Sequence, residues 1–224
     1  MEIGAGNEAE IEFLKEIKPV AKGAEAELWL GLLLGTQVVI KKRVKKSYRD
    51  PALDAKLRAT RTLEEGRLLA KAYLEGVSVP APLFIDPQGF LLVEEMVSGS
   101  LLRDVVNGLP PIMRLVGEEV AKMHLAGLVH GDLTTSNVII TGEAKAFIID
   151  FGLGSFSPEL EDRGVDLLLM RKSLEANLPS ASGGLFSRFF EGYRGVMGPG
   201  ADEVLERSAE IERRGRYYAE RAID

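Results

Sequence analysis

With 224 residues, the chain is long enough to bury a core as one domain or as two small lobes. Hydrophobic residues make up 46% and charged residues 28%, a globular composition that excludes long disordered or collagen-like stretches. The net charge of −6 argues against a protein whose whole surface binds nucleic acid. The absence of cysteine excludes disulfides and thiolate chemistry, and the two histidines argue against a zinc site.

The N-terminal residues 1–12 are acidic and small, without the basic start and apolar stretch of a signal peptide. The longest apolar runs, such as Leu28–Leu34, are far shorter than a membrane span. We therefore expect a cytoplasmic protein without membrane contact.

Strand-like runs dominate the first part of the chain. Their β-branched and aromatic residues, separated by glycines, predict an antiparallel meander. Its strands are expected at Phe13–Ala21, Ala26–Leu34 and Gln37–Arg43. The helix that follows is expected to end near Leu74, because Gly76 is placed as a helix stop.

Two more strands, Leu83–Ile85 and Phe90–Met96, flank Asp86–Gly89, whose sequence is typical of a type I turn. Helical spacing then takes over and predicts a second part of different character. We expect a strand-rich first lobe of residues 1–97 and a helix-rich second lobe of residues 98–224.

The helix-rich part carries apolar residues at helical spacing, interrupted by one predicted β-hairpin and one loop. Its predicted elements are a helix at Ile112–Ala126 stopped by Gly127, hairpin strands at Val138–Ile140 and Ala146–Ile149, helices from Ser157 onward, a loop at Pro179–Gly184 and a final helix at Ala201–Ala222.

Two polar motifs carry the strongest functional signal. The first runs from His130 to Asn137 and contains Asp132, and the second ends an apolar strand at Asp150. Phosphoryl transfer needs magnesium held against the phosphates and a carboxylate near the acceptor, and magnesium prefers oxygen ligands. Asn137 and Asp150 lie at opposite ends of one predicted hairpin, so both can reach a metal site beside Asp132. Aspartates also cap turns, but two motifs at hairpin spacing favour the catalytic interpretation.

These motifs resemble the catalytic loop and the metal-binding motif of protein kinases, with the aspartate-to-asparagine spacing preserved. The resemblance implies a bilobal α+β protein-kinase-like fold with a small antiparallel β N-lobe carrying one main helix, a helical C-lobe, and ATP and Mg²⁺ as cofactors. It implies that Asp132 is the catalytic base and that Asn137 and Asp150 bind the metal. We expect His130 to brace the loop and His124 to be a packed structural residue.

The strand Val38–Lys41 resembles the kinase strand that supplies an ATP-binding lysine. In the helix that follows, one face carries Glu65, Leu68, Leu69, Ala72 and Tyr73. A glutamate at the head of an apolar face is costly without a cation, so Lys41 and Glu65 are predicted to pair and hold the phosphates of ATP. Glu64 points off that face and is less favoured. A solvated Glu65 at the edge of the face is the alternative.

The segment between the first two strands occupies the place of the kinase phosphate-covering loop but contains a single glycine. An ordinary hairpin turn is therefore the alternative. By position, the resemblance predicts nucleotide contacts at Gly23, Ala24, Glu25 and Ala26 and, at the adenine-binding connector, at Glu94 and Met96. Asp166 resembles a buried aspartate that orients the catalytic loop, with an exposed helix carboxylate as the alternative.

Three departures from ordinary protein kinases narrow the resemblance. Gly131 stands where many of them have an arginine that binds a phosphorylated activation loop, so such a switch lacks its receptor. The activation segment between Asp150 and Ser157 is minimal and lacks a peptide platform. The basic run Lys41–Arg49 continues straight from the lysine strand, and such a charge run is most often a solvated face.

With the two motifs, these features resemble the bud-site-selection, p53-related small atypical kinases of the KEOPS complex, from about Gly23 to Arg216. The resemblance implies a magnesium-dependent ATPase or atypical Ser/Thr kinase that supports threonylcarbamoyladenosine formation in tRNA. It also implies two partners, the transferase subunit and a small subunit on the first lobe. A small-molecule phosphotransferase and a pseudokinase scaffold are the alternatives.

Contacts with tRNA phosphates are predicted for the basic run Lys41–Arg49 and for the C-terminal arginines. Those arginines are Arg207, Arg213, Arg214, Arg216 and Arg221. They can equally complement the dipole of the final helix.

Overall fold

The computed structural model describes residues 14–23, 25–105 and 108–221, with side chains as far as residue 215. The chain divides into two compact units. The first extends to Arg67 and includes Pro80–Met96, and the second contains Leu68–Val79 and continues from Val97. Among the described residues, no helix combines the length and apolar character needed to cross a membrane.

The first unit contains a five-stranded antiparallel sheet in the order β1-β2-β3-β5-β4. Its strands are β1 (Leu14–Lys22), β2 (Ala26–Leu33), β3 (Thr36–Arg43), β4 (Pro82–Asp86) and β5 (Leu91–Glu95). The predicted meander is confirmed, while Phe13 lies outside the described residues. Val38, Ile40 and Val93 are fully buried and form the centre of this unit's core.

Helix α1 (Pro51–Leu74) has a clear beginning and end. The Asp50 carboxylate accepts hydrogen bonds from the backbone N–H groups of Ala52 and Leu53, both at 3.0 Å, as an N-cap residue does. Gly76 adopts a left-handed φ of 74°, which ends the helix where the sequence predicted. Within the predicted apolar face, the assignment of Tyr73 was wrong, because this side chain is 52% exposed.

From Val97 onward, the described residues of the second unit form four α-helices and several short strands. Its elements are β6 (Ser100–Leu101), α2 (Leu109–Leu125), β7 (Leu128–Val129), β8 (Val138–Ile140), β9 (Ala146–Ile148), β10 (Ser155–Phe156), α3 (Leu160–Asn177), α4 (Ser182–Met197) and α5 (Ala201–Arg221). The predicted hairpin is β8–β9, which pairs with β6, and β10 pairs with β7.

Helices α2 and α4 cross in direct backbone contact. A Cβ atom on Gly117 would lie 1.9 Å from the Phe189 carbonyl oxygen, and one on Gly192 would lie 1.9 Å from the Arg114 carbonyl oxygen. Neither position therefore accepts a side chain without separating the helices. The close packing of the two helices contributes to the buried face of α2. Along the chain, α2 is followed by β7 and then by the polar loop.

Two predictions about the second unit need correction. The predicted loop Pro179–Gly184 is too long, because α4 already begins at Ser182 and includes both following glycines. The apolar side chains further along α4, Leu185 and Phe189, are buried and favour helix despite those glycines. The short strands β6, β7 and β10 were missed, since two-residue strands show no measurable alternation.

Candidate active site

Lys41 on β3 and Glu65 on α1 form a buried ion pair in the first unit. The Lys41 Nζ lies 2.5 Å from Glu65 Oε1, and the side chains are 9% and 2% exposed. Glu64, the alternative, is exposed. The residue at the head of the apolar face of α1 therefore has the cation that its burial requires.

Sequence reasoning missed a second cation on the same carboxylate. The Arg43 NH2 group donates to Glu65 Oε2 at 2.5 Å and to the Arg61 carbonyl oxygen at 3.3 Å, and the Arg43 side chain is 5% exposed. The sequence could have predicted this contact. Residues two apart on a strand lie on the same face, so Arg43 lies beside Lys41.

The segment predicted to cover phosphates makes a turn in which the Gly23 N–H donates to the Ala26 carbonyl oxygen at 2.9 Å. The Glu25 carboxylate accepts a hydrogen bond from Arg61 at 2.9 Å, which ties this segment to α1. Ala26 begins β2, and Ala24 lies outside the described residues.

The predicted adenine-binding connector begins at the end of β5. Glu94 lies within this strand, paired in register with Val39 of β3 and Pro82 of β4. Met96 is the first residue after the strand. Its backbone therefore lies just beyond the residues of β5 that pair with β3 and β4.

Asp132 and Asn137 are brought together in the loop between β7 and β8 of the second unit. The Asn137 Nδ2 group donates to the Asp132 backbone oxygen at 2.8 Å and to the Asp132 Oδ2 at 3.0 Å. Both bonds use the amide nitrogen. The amide oxygen is therefore the atom of Asn137 that can bind a cation.

The buried His130 side chain holds this loop through two hydrogen bonds. Its Nε2 donates to the Ile149 carbonyl oxygen at 2.9 Å, and its Nδ1 accepts the Asp132 N–H at 3.2 Å. These two bonds together require the neutral tautomer with the proton on Nε2. The bracing role predicted for His130 agrees with this geometry.

Asp150 lies at the other end of the same hairpin. The Ile149 N–H donates to the Asn137 carbonyl oxygen at 3.0 Å, which holds the entry to β8 against the exit from β9. Asp150 itself adopts a left-handed φ of 64°, and its Oδ1 accepts the Gly152 N–H at 3.1 Å. Such a conformation is uncommon for a non-glycine residue and often marks functional sites.

Asp166 on α3 accepts hydrogen bonds from the backbone of the loop between β7 and β8. This fully buried carboxylate accepts hydrogen bonds from the His130 N–H at 2.7 Å and from the Gly131 N–H at 2.8 Å. The alternative of an exposed helix carboxylate is wrong. Gly131 has a φ of 74°, and a Cβ atom there would lie 2.3 Å from the Leu153 carbonyl oxygen. An arginine at this position would therefore displace the loop.

His124 is a packed structural residue, as predicted. Its Nε2 lies 3.2 Å from Asp166 Oδ2, and its Nδ1 lies 2.8 Å from the Tyr193 hydroxyl oxygen. Burial lowers the pKa of His124, although the neighbouring Asp166 carboxylate opposes this effect. Burial also raises the pKa of Tyr193, so its hydroxyl stays protonated and donates to His124.

The chain between Asp150 and α3 is short and paired. Strand β10 lies against β7, and the Ser157 N–H donates to the Gly127 carbonyl oxygen at 3.0 Å. The Ser157 hydroxyl donates to Asp162 at 2.6 Å at the start of α3. This arrangement agrees with the minimal activation segment expected from the sequence.

The basic run is not one exposed stripe. Lys41 and Arg43 are buried, so neither can face RNA. Further along the run, Arg49 lies 3.8 Å from Asp54 and 4.0 Å from Glu25. The prediction that all of Lys41–Arg49 forms an RNA surface is therefore wrong.

Two of the C-terminal arginines connect α5 to α3. Arg207 lies 3.7 Å from Glu161, and Arg214 pairs with the same carboxylate. Arg213 is exposed, whereas the side chains of Arg216 and Arg221 lie outside what the structure describes. Acidic partners on a neighbouring helix, rather than the helix dipole alone, therefore account for two of these cations.

Comparison with protein families shows that the RIO domain matches residues 37–154 of the chain. The chain is 38% identical over 213 residues to the KEOPS complex subunit Bud32 of Pyrococcus abyssi, covering 90% of this chain and 96% of that protein. It is 36% identical over 231 residues to the EKC/KEOPS complex subunit BUD32 of Yarrowia lipolytica, covering 90% and 93%.

A longer relative is a probable bifunctional tRNA threonylcarbamoyladenosine biosynthesis protein of Methanothermobacter thermautotrophicus. The identity is 44% over 211 residues, and the match covers 94% of this chain but 38% of that protein. The chain thus spans well under half the length of this relative. These names agree with the main functional interpretation and with neither of its alternatives.

Among solved structures, the chain is similar to the Rio2 kinase of Chaetomium thermophilum, crystallised as an ADP/Mg²⁺-phosphoaspartate complex. The TM-score is 0.58 at 18% identity, covering 90% of this chain and 68% of that one. This similarity, with the antiparallel sheet of the first unit and the helices of the second, confirms the predicted α+β protein-kinase-like fold.

Proposed function

Because the chain belongs to the Bud32 family of RIO-domain atypical kinases, we propose that it is a magnesium-dependent ATPase and atypical Ser/Thr kinase of a KEOPS complex. In that complex it supports threonylcarbamoyladenosine formation in tRNA. The observation that carries the proposal is the pair of bonds from Asn137 to Asp132, in a loop closed by the backbone bond from Ile149 to Asn137.

Asp132 serves as the catalytic base in this proposal. Its carboxylate accepts the proton of the attacking hydroxyl, which comes from water or from a serine or threonine side chain. The bond from Asn137 to Oδ2 and the Asp132 N–H bond to His130 fix the orientation of the residue. General bases of this kind contribute typically about 10²–10⁴-fold to a rate.

Asn137 and Asp150 are the proposed magnesium ligands. The residues fit the ion, because the Asp150 side chain is exposed and the Asn137 amide directs its nitrogen to Asp132. Both supply oxygen atoms, the donors that Mg²⁺ prefers. When bound with ATP, the ion neutralises charge on the phosphates.

Nucleotide binding by the first unit rests on Lys41, held by Glu65, as the phosphate-binding cation. By position, we propose nucleotide contacts at Gly23, Ala24, Glu25 and Ala26 and adenine contacts through the backbone of Glu94 and Met96. The Arg61–Glu25 bond and the bond from the Gly23 N–H to Ala26 support nucleotide contacts at these two ends without several glycines.

The proposed partners are a threonylcarbamoyltransferase subunit, a small subunit on the first unit, and tRNA. For tRNA, the proposed contacts are exposed cations such as Lys45 and Arg213. Lys41 and Arg43 are excluded by their burial. The cytoplasmic location remains a prediction.

A turnover assay tests the proposal. Purified chain is incubated with ATP and Mg²⁺, alone and with tRNA and the proteins that co-purify with it from the native cell. We expect magnesium-dependent phosphate release that Asp132→Asn lowers about 10²–10⁴-fold while ATP binding is retained. Unchanged turnover in Asp132→Asn would favour a scaffold, and a phosphorylated small molecule formed without partners would favour a phosphotransferase.

A further inference from the structure

The buried carboxylate of Glu65 is shared by two cations, one on each oxygen. Lys41 Nζ lies 2.5 Å from Oε1 and Arg43 NH2 lies 2.5 Å from Oε2. The two cations are two residues apart on β3 and reach the same side of that strand. Glu65 therefore has a separate cationic partner on each oxygen.

Arg43 also makes a contact with the backbone of α1. Its NH2 group donates to the Arg61 carbonyl oxygen at 3.3 Å, one helical turn before Glu65 on α1. Arg43 thus connects β3 to both the backbone and a side chain of the helix. A guanidinium suits this role, since it presents several donors in a fixed plane.

This arrangement matters because a lysine that binds phosphate must divide its hydrogen bonds between Glu65 and the nucleotide. With a single cation, any movement of Lys41 towards a phosphate would weaken the only partner of a carboxylate that is 2% exposed. An unpaired buried carboxylate is strongly unfavourable. Arg43 removes this penalty, because it keeps Glu65 paired while Lys41 moves.

We propose that Arg43 is a positioning residue for nucleotide binding, which holds Glu65 and helix α1 in place so that Lys41 can bind phosphate. The inference rests on the proposed function, in which Lys41 contacts ATP. Arg43 itself is not assigned a contact with the nucleotide. Its effect on ATP passes through Glu65 and Lys41.

The test measures equilibrium binding of ATP with Mg²⁺ for the wild type and for Arg43→Gln, with thermal stability recorded for each. We expect Arg43→Gln to weaken ATP binding about tenfold through misplacement of Lys41. The matched control is Arg58→Gln. Arg58 pairs with Asp54 at 2.7 Å on the same helix and does not touch Glu65. We expect this control to lose stability but keep the wild-type affinity for ATP.

A double-mutant cycle separates positioning from general destabilisation. In a Lys41→Met background, Arg43→Gln should weaken ATP binding less than about twofold, because the residue through which it acts is gone. Full tenfold effects in both backgrounds would overturn the proposal, as would equal ATP affinity in Arg43→Gln and the wild type. If Arg43→Gln does not fold, Arg43→Lys replaces it with an expected loss of about threefold, since lysine keeps the charge but lacks the planar guanidinium. Wild-type affinity in that variant would also overturn the proposal.

Failure of this inference is distinct from failure of the proposed function. If the wild type neither binds nor hydrolyses ATP, the proposed function is wrong. If the wild type binds ATP and Arg43→Gln binds it equally well, only the role of Arg43 is wrong.

Discussion

The two units hold their functional residues by different means. In the first unit, Lys41 and Glu65 are held by opposite charges in a buried cluster that Arg43 completes. In the second unit, hydrogen bonds hold the loop between β7 and β8, whose His130 and Gly131 N–H groups donate to the carboxylate of Asp166. The comparison indicates that the stability of the first cluster depends on opposite charges. The stability of the loop depends instead on a correct match of hydrogen-bond donors and acceptors.

The largest expected effect concerns the metal ligand of the second unit. Asp150→Ala should abolish magnesium-dependent ATP binding and turnover, because no other proposed ligand in the loop supplies a carboxylate to the ion. Calorimetric titration with ATP and Mg²⁺, paired with a phosphate-release assay, measures both. Wild-type affinity and activity in this variant would count against the metal assignment.

The second-largest expected effect is a loss of stability when the charge at the centre of the first cluster is removed. Glu65→Gln leaves Lys41 and Arg43 without their shared anion, and we expect the free energy of unfolding to fall by about 3–5 kcal/mol. Urea unfolding measures this change. The exposed neighbour gives the control, since Glu64→Gln should change stability by less than about 0.5 kcal/mol. Equal losses of unfolding free energy in Glu65→Gln and Glu64→Gln would contradict a dependence of the first cluster on charge.

The same chemical change in the second unit should have a smaller effect. Asp166→Asn keeps the shape and one acceptor oxygen but places an NH₂ group opposite a backbone N–H, at a cost of about 1–3 kcal/mol. The exposed Glu159, mutated to Gln, serves as the control. Urea unfolding again gives the free energy. A loss larger than that of Glu65→Gln would mean that charge, and not hydrogen-bond direction, dominates at the loop.

The smallest expected effect is a change in pH dependence. Burial, with a smaller contribution from the nearby Arg163 charge, lowers the pKa of folded His124 below its ordinary value of 6.5, although Asp166 opposes this shift. Below that pH the unfolded chain therefore binds a proton that the folded chain does not. This contribution to stability is present above pH 6.5 and is lost as the pH falls. Between pH 6.5 and 5.5 the free energy of unfolding should decline less steeply in His124→Gln than in the wild type. The difference in slope should be at most about 1.4 kcal/mol per pH unit. Urea unfolding at several pH values measures the slope, and an unchanged slope would contradict the assignment.

Much of the fold followed from local signals in the sequence. Gly76 and Gly127 end helices with φ angles of 74° and 75°, conformations that glycine adopts without strain. The hairpin that carries Asn137 and Asp150 follows from apolar strands on both sides of a polar turn. Glu65 was preferred to Glu64 because helical spacing places it at the head of an apolar face.

What the sequence did not reveal depends on contacts between distant residues. The basic run from Lys41 suggests a solvated surface, yet Arg43 is buried because Glu65, far along the chain, supplies its counter-charge. The beginning of α4 at Ser182 opposes the local preference of two glycines, and the buried Phe189 further along decides the outcome. Such tertiary effects override propensity and leave no local pattern.

The hairpin β8–β9 is anchored at its open end and closed independently at its tip. At the tip, the Thr141 N–H donates to the Lys145 carbonyl oxygen at 3.0 Å, and the Ala144 N–H donates to the Thr141 carbonyl oxygen at 2.9 Å. Residues 142–145 are exposed. A peptide tag or fluorophore inserted there would therefore lie at the tip of the hairpin, opposite the end that holds Asn137 and Asp150. The tip thus offers a reporter position that leaves these two residues undisturbed.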